Sequence, residues 1–172
     1  MSSLLLRKFK AEHISRLIAL KQQFSDNQRI QEIVDNHLLP KLQHLRAMDL
    51  SDYIFTLYLA SREFKVFEDL IPSEETVDTL IEQKNKLYYL KAKYLARLLK
   101  LRKELKHKYR DKADRVEDIV FDLAARLHLL RRDGLTEYLF STTLACREFT
   151  ELCNLVPTEN EIKTLFVVPM EG

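Results

Sequence analysis

Apolar side chains along this 172-residue chain recur three and four positions apart. Leu87, Leu90, Tyr94, Leu98, Leu101, Leu105 and Tyr109 form the longest such series, and Tyr88, Leu95 and Leu99 widen it. This spacing lays the side chains along one side of an α-helix. An arc this wide predicts a central helix packed by neighbours on two sides.

The same pattern divides the rest of the chain. A first helix is predicted over about Leu4 to Phe24, closed by the polar run Ser25-Asp26-Asn27, which also supplies N-cap residues. A second runs from about Gln28 to Arg46 and contains Pro40. Proline lacks the N–H for one helical bond and clashes with the preceding turn, so a kink or restart is expected near His37. A third helix, capped by Asp49 or Ser51, extends to about Leu70. From Glu74 to Lys108 no breaker interrupts the pattern, which predicts one helix of about 35 residues, roughly 50 Å long. Later segments predict helices over Asp114–Arg132, Thr136–Asn154 and Glu159 to about Phe166, with a stop at Gly134. The apolar tail Val167-Val168-Pro169-Met170 is expected to dock on the fold.

Much of this pattern occurs twice. Displaced by 85 positions, Leu50, Tyr53, Phe55, Leu59, Arg62, Glu63, Phe64, Leu70 and Pro72 fall on Leu135, Tyr138, Phe140, Leu144, Arg147, Glu148, Phe149, Leu155 and Pro157. Upstream, Arg29-Ile30 and Ile33-Val34 match Arg115-Val116 and Ile119-Val120, and Arg16-Leu17 matches Arg97-Leu98. Self-similarity over a long period marks a duplicated structural unit. The expected fold is all-α: a tandem duplication of a three-helix unit, over 1–82 and 83–172, joined by one long shared central helix over about 74–110 around a shared core. In both copies a proline stops one helix, and Ser73 or Thr158 caps the next. Thr158 and Glu161 have capping-box spacing. Phe55, Leu59, Phe64, Phe140, Leu144 and Phe149 are expected in the core, each pair in like surroundings.

Two glycines and four prolines leave little material for turns or bulges, in keeping with a helical chain. No apolar run reaches the ~20 residues of a membrane helix. The basic first residues resemble an organelle presequence, but Ile14–Lys21 matches Leu95–Arg102, so a cleaved peptide could occupy only the first few positions. On a continuous helix Cys146 and Cys153 would lie about 10 Å apart, beyond disulfide reach. They read as reduced thiols of an intracellular protein whose compartment the sequence does not indicate.

No catalytic, cofactor or metal pattern emerges: Gly134 and Gly172 cannot build a phosphate loop, and the five histidines have no metal spacing. Charge is more informative than the net +2. Thirteen bases against three acids between Lys84 and Arg115 give a local +10; nine acids against two bases between Asp49 and Gln83 give −7. Lys86, Lys93, Arg97, Lys100, Lys103 and Arg110 are the candidate partner-binding residues on this basic helix. The expected function is that of a non-enzymatic assembly or adaptor subunit meeting an acidic surface of another protein. The alternative is RNA or DNA binding through the basic stretch 84–115. A second candidate is the duplicated microsite of Tyr53, Arg62 and Glu63 with Tyr138, Arg147 and Glu148. It reads either as packing and pairing within the fold or as a repeated site for a carboxylate or phosphate.

Overall fold

A computed structural model describes residues 2–166, and of residues 2 and 3 the backbone only. The apolar tail after Phe166 lies outside the described residues. Within them the regular structure is all helical: α1 (Ser2–Gln23), α2 (Gln28–Ile33), α3 (Leu39–Gln43), α4 (Leu50–Glu63), α5 (Glu74–Leu80), α6 (Leu87–Lys108), α7 (Ala113–His128), α8 (Leu135–Glu148) and α9 (Glu159–Leu165). No described helix is long and apolar enough to cross a membrane. One cluster of buried side chains runs through all of it, from Leu17 and Leu42 through Tyr53, Leu57 and Leu98 to Val120, Tyr138 and Leu155.

Local chemistry accounts for most boundaries. Asn27 caps α2 by accepting from the Ile30 N–H at 3.0 Å. The helix begun there does not stay regular: Val34–Leu38 forms a π turn before α3 starts with Pro40 in its first turn. The sequence correspondence explains the extra loop of chain. Arg29 and Arg115 are 86 apart, whereas Leu42 and Leu127 are 85 apart. The first stretch therefore carries one residue more than α7, and a π turn absorbs an inserted residue without rotating the following helix off the core.

The predicted long helix over 74–110 is interrupted. α5 ends at Leu80, Ile81 is buried with extended dihedrals, and α6 begins at Leu87. Glu82 to Lys86 are all polar, so this stretch supplies no apolar position to continue the buried stripe. The chain instead reverses, and α5 packs back on α6.

The third helix of each half is also shorter than expected. α4 and α8 stop at Glu63 and Glu148, where Phe64 and Phe149 turn extended. The residues that follow, Lys65–Leu70 and Thr150–Leu155, form 3₁₀ turns. Phe64, Phe67 and Leu70, like Phe149, Leu152 and Leu155, are three apart, and three residues per turn aligns such positions on one side. This corner corrects the expected separation of Cys146 and Cys153: their Cα atoms are 5.1 Å apart, within disulfide reach, rather than the distance a continuous helix would impose. Ser73 and Thr158 then cap α5 and α9, and Thr158 with Glu161 completes a capping box.

The expected core is corrected in part. Phe149 is buried, and Phe55 and Phe64 are half-buried against the core, but Leu59, Phe140 and Leu144 are exposed. α4 turns Leu50, Tyr53, Ile54, Leu57 and Tyr58 inward, and α8 turns Leu135, Tyr138, Thr142 and Ala145 inward. Phe55 and Phe140 thus do not share an environment.

Candidate functional site

The last turns of α4 and the C-terminal half of α6 lie side by side, and the 3₁₀ turn after α4 closes one flank. Between them is a cleft of about 770 Å³. One wall carries Ser61, Arg62, Glu63, Lys65 and Glu68; the other carries Arg102, Lys103, Glu104, Lys106, His107 and Arg110. On α6, positions 102, 103, 106 and 107 fall three and four apart, which is why its bases gather on one side, and Arg110 follows in the 3₁₀ turn after it.

The floor is an ion cluster built around buried Arg102. Arg102, only 6% exposed, donates from Nε to Glu117 Oε1 at 2.5 Å and from Nη1 to Ser61 Oγ at 3.1 Å. Its guanidinium carbon lies 5.2 Å from the Tyr58 ring centroid. Lys106 donates to the same Glu117 oxygen at 2.9 Å, and Arg62 Nε is 3.9 Å from Oε2. Three cations therefore converge on one carboxylate, which compensates only one of them. Burial pushes the Glu117 carboxyl up, but the hydrogen bonds from Lys106 and Arg102 outweigh it and hold the group below the usual carboxylate range. Burial, with Glu117 nearby, pushes the Tyr58 phenol up to about 12, and its hydroxyl has no hydrogen-bond partner among the described residues.

Above this floor the rim is open. Lys65, Lys103 and Arg110 are exposed; Arg110 lies 3.4 Å from His107 Nδ1, and the other two have no partner among the described residues. Such a site can attract and seat an anionic group by charge and by donors alone. Ser61 is no nucleophile in this setting, because its hydroxyl donates to the Tyr58 carbonyl at 2.6 Å and faces a cation rather than a base.

The predicted basic residues separate into two groups. Lys93 and Arg97 are engaged within the chain. Lys93 sits 3.7 Å from Asp78 and 3.1 Å from the Tyr89 hydroxyl. Arg97 donates to Glu74 at 2.8 and 2.9 Å and to the Asn154 carbonyl at 2.8 Å. The break at 81–86 swings the acids of α5 onto them. A single free ridge through all the named bases is therefore not what the fold presents. Lys86 is half-buried at the start of α6, Lys100 is exposed in the groove beside Pro72 and Glu75, and Lys103 and Arg110 reach the cleft.

The duplicated microsite does not assemble as a unit. Tyr53 and Tyr138 are buried, the first 2.9 Å from His13 Nδ1, the second donating to the Leu155 carbonyl. Glu63 and Glu148 face outward and pair with Arg29 and Arg115, themselves matching residues of the two halves. Arg62 joins the cleft, stacked 4.4 Å from the Phe121 ring, whereas Arg147 is exposed. Sequence reasoning missed Glu117, Ser61, Lys65 and Lys106. The available signal was the mismatch of Glu117 with Gln31, a carboxylate present in one half only.

No protein-family model matches the chain, and no curated protein or solved structure is significantly similar to it.

Proposed function

We propose that this protein is a non-enzymatic helical assembly or adaptor subunit, built as two equivalent three-helix units, that receives an acidic surface of another protein in the cleft between α4 and α6. The observation that carries this reading is the cleft itself: three cations share one half-buried carboxylate, and three more stand open on the rim. The equivalence of the units is supported by the matched sequence pairs. α4, α5 and the turn between them also recur as α8, α9 and their turn, every boundary 85 positions later.

Nucleic acid is the second reading, favoured by the local +10 around α6. One observation favours a protein partner. Tyr89 and Tyr94 of α6 are buried, with their hydroxyls bonded to Asp78 and Glu161 of the same chain, so their rings are not free platforms for stacking bases.

Exposed ion pairs contribute only about 0–1 kcal/mol each, so one reversal is uninformative. The test is a Lys65→Glu/Lys103→Glu/Arg110→Glu triple variant, titrated with a poly-glutamate peptide and with single-stranded RNA over a salt series. We expect the wild type to bind the acidic peptide at low salt and the triple variant to lose at least about tenfold. Equal binding by both would sink the reading. RNA binding that falls steeply with salt, with no affinity for the peptide, would move the assignment to nucleic acid.

A further inference from the structure

The junction between the two halves is made by the outer side of α4, with the turn after it, against α6 and α7. Phe55 stacks on His128, ring centroids 4.3 Å apart and planes parallel within 2°. Arg62 lies over Phe121. Ile71, half-buried against the core, lines one groove with Leu99, which is buried. The positions 85 residues later are Phe140, Arg147 and Val156, and among the described residues no further helix packs over them. Phe140 is 69% and Val156 40% exposed, with Leu144 beside them at 60%. Arg147 has no partner among the described residues.

The opposite end of the chain shows the complementary vacancy. α1 corresponds to α6, and Ile18 stands where α6 has Leu99, yet Ile18 is 44% exposed. Asp35 stands where α7 has Phe121; it is exposed, held only by Lys21 at 2.7 Å. Each end therefore displays one half of a contact that the chain already makes internally.

We propose that the open face of α8 docks a second copy of this chain through the second copy's α1 and α2, so that chains add head to tail. Arg147 would meet Asp35 of the second copy where Arg62 meets Phe121 inside the chain, and Val156 would cover Ile18 as Ile71 adjoins Leu99. Charge selects this arrangement over a two-fold one. α1 carries five bases and one acid, whereas Asp133–Phe166 carries six acids and two bases. Unlike ends attract and like ends repel. A face that meets a different face does not close on itself at two copies, so association continues past the dimer, to a ring or an open chain. This inference rests on reading the halves as equivalent units. It does not depend on what fills the basic cleft.

Two variants test it on the full chain. Ile18→Glu spoils the leading end and leaves α8 intact; Phe140→Glu spoils the trailing end and leaves α1 intact. Both residues are exposed, so both variants should keep the helical far-UV signal; if Phe140→Glu does not, Leu144→Glu on the same exposed face replaces it. In sedimentation velocity the wild type should grow with concentration. Each variant alone should stay monomeric, and their equimolar mixture should give a dimer and nothing larger. The Lys65/Lys103/Arg110 triple variant should associate as the wild type does, which keeps this result separate from that of the cleft. A wild type that is monomeric throughout, a variant that associates alone, or a mixture that stays monomeric would each overturn the proposal.

Discussion

A neutral imidazole beneath Phe9 and Tyr53 ties the stability of this protein to pH. Burial, with Arg16 adding to it, lowers the His13 pKa to about 4, while the unfolded chain takes up the same proton near 6.5. Above pH 6.5 neither state is protonated and the group contributes no pH dependence. Below that, only the unfolded state binds the proton, so stability falls until the folded pKa is reached. Between pH 7 and pH 5 the loss is about 2 kcal/mol. Urea unfolding should show it in the wild type and show much less of it in His13→Gln, which stays neutral and can still bond the Tyr53 hydroxyl. Burial also lowers His128, which adds a loss of the same sign that both proteins share. At the same scale, Phe149→Ala should cost about 3–5 kcal/mol, since that ring is 2% exposed. Phe140→Ala should stay within about 0.5 kcal/mol in dilute monomer. Thermal unfolding of the pair checks both. Periodicity assigned these two phenylalanines the same fate because it reports which positions share an arc, not which of two overlapping arcs meets a neighbour. On α4 and α8 the inward arc runs through Leu50 and Tyr53 or Leu135 and Tyr138; the Phe55 and Phe140 arc faces whatever lies beyond.

Punctuation chemistry made the elements legible wherever one residue type decides the backbone. Asn27, Ser73 and Thr158 cap where their side chains require it, and Pro40 sits at the restart it predicts. The turns that escaped notice lack such residues. Phe64 and Phe149 end their helices because apolar positions three apart suit a 3₁₀ turn, and no glycine or proline marks the spot. Ile81 to Lys86 opens because a polar run offers no reason to stay packed. Recognising it required the partner contacts, Asp78 with Lys93 and Glu74 with Arg97, that the reversal creates. The π turn yields a prediction at this scale. Deleting exposed Asn36 together with Pro40→Ala should convert Val34–Leu38 to regular helix, because the deletion removes the one residue by which this stretch exceeds α7. The melting temperature should equal or exceed that of wild type. Deleting Asp122 from α7 should instead rotate Leu123, Ala124 and Leu127 out of the core and unfold the protein. If the first deletion proves as damaging as the second, the inserted-residue account of the π turn is wrong.

Across the whole molecule, the cluster under the cleft joins the halves: Ser61 and Arg62 come from α4, Arg102 and Lys106 from α6, and Glu117 from α7. The segregation of charge along the chain was visible in the sequence. Which charges cancel was not, because that depends on which helices become neighbours. Removing one side of a buried pair leaves an uncompensated charge, whereas replacing both sides with apolar groups does not. Glu117→Leu alone strands Arg102, whose side chain is 7% exposed, and should destabilise by about 3 kcal/mol. Arg102→Met with Glu117→Leu should recover more than half of that loss, since Arg62 and Lys106 can turn to solvent while Arg102 cannot. Denaturant unfolding of the wild type, Glu117→Leu and the double variant measures the difference. A double variant less stable than Glu117→Leu would mean that Arg102 holds the junction through Ser61 and Tyr58 rather than through its carboxylate. The double variant also keeps Lys65, Lys103 and Arg110, so it should still bind an acidic peptide if the rim is what the partner meets.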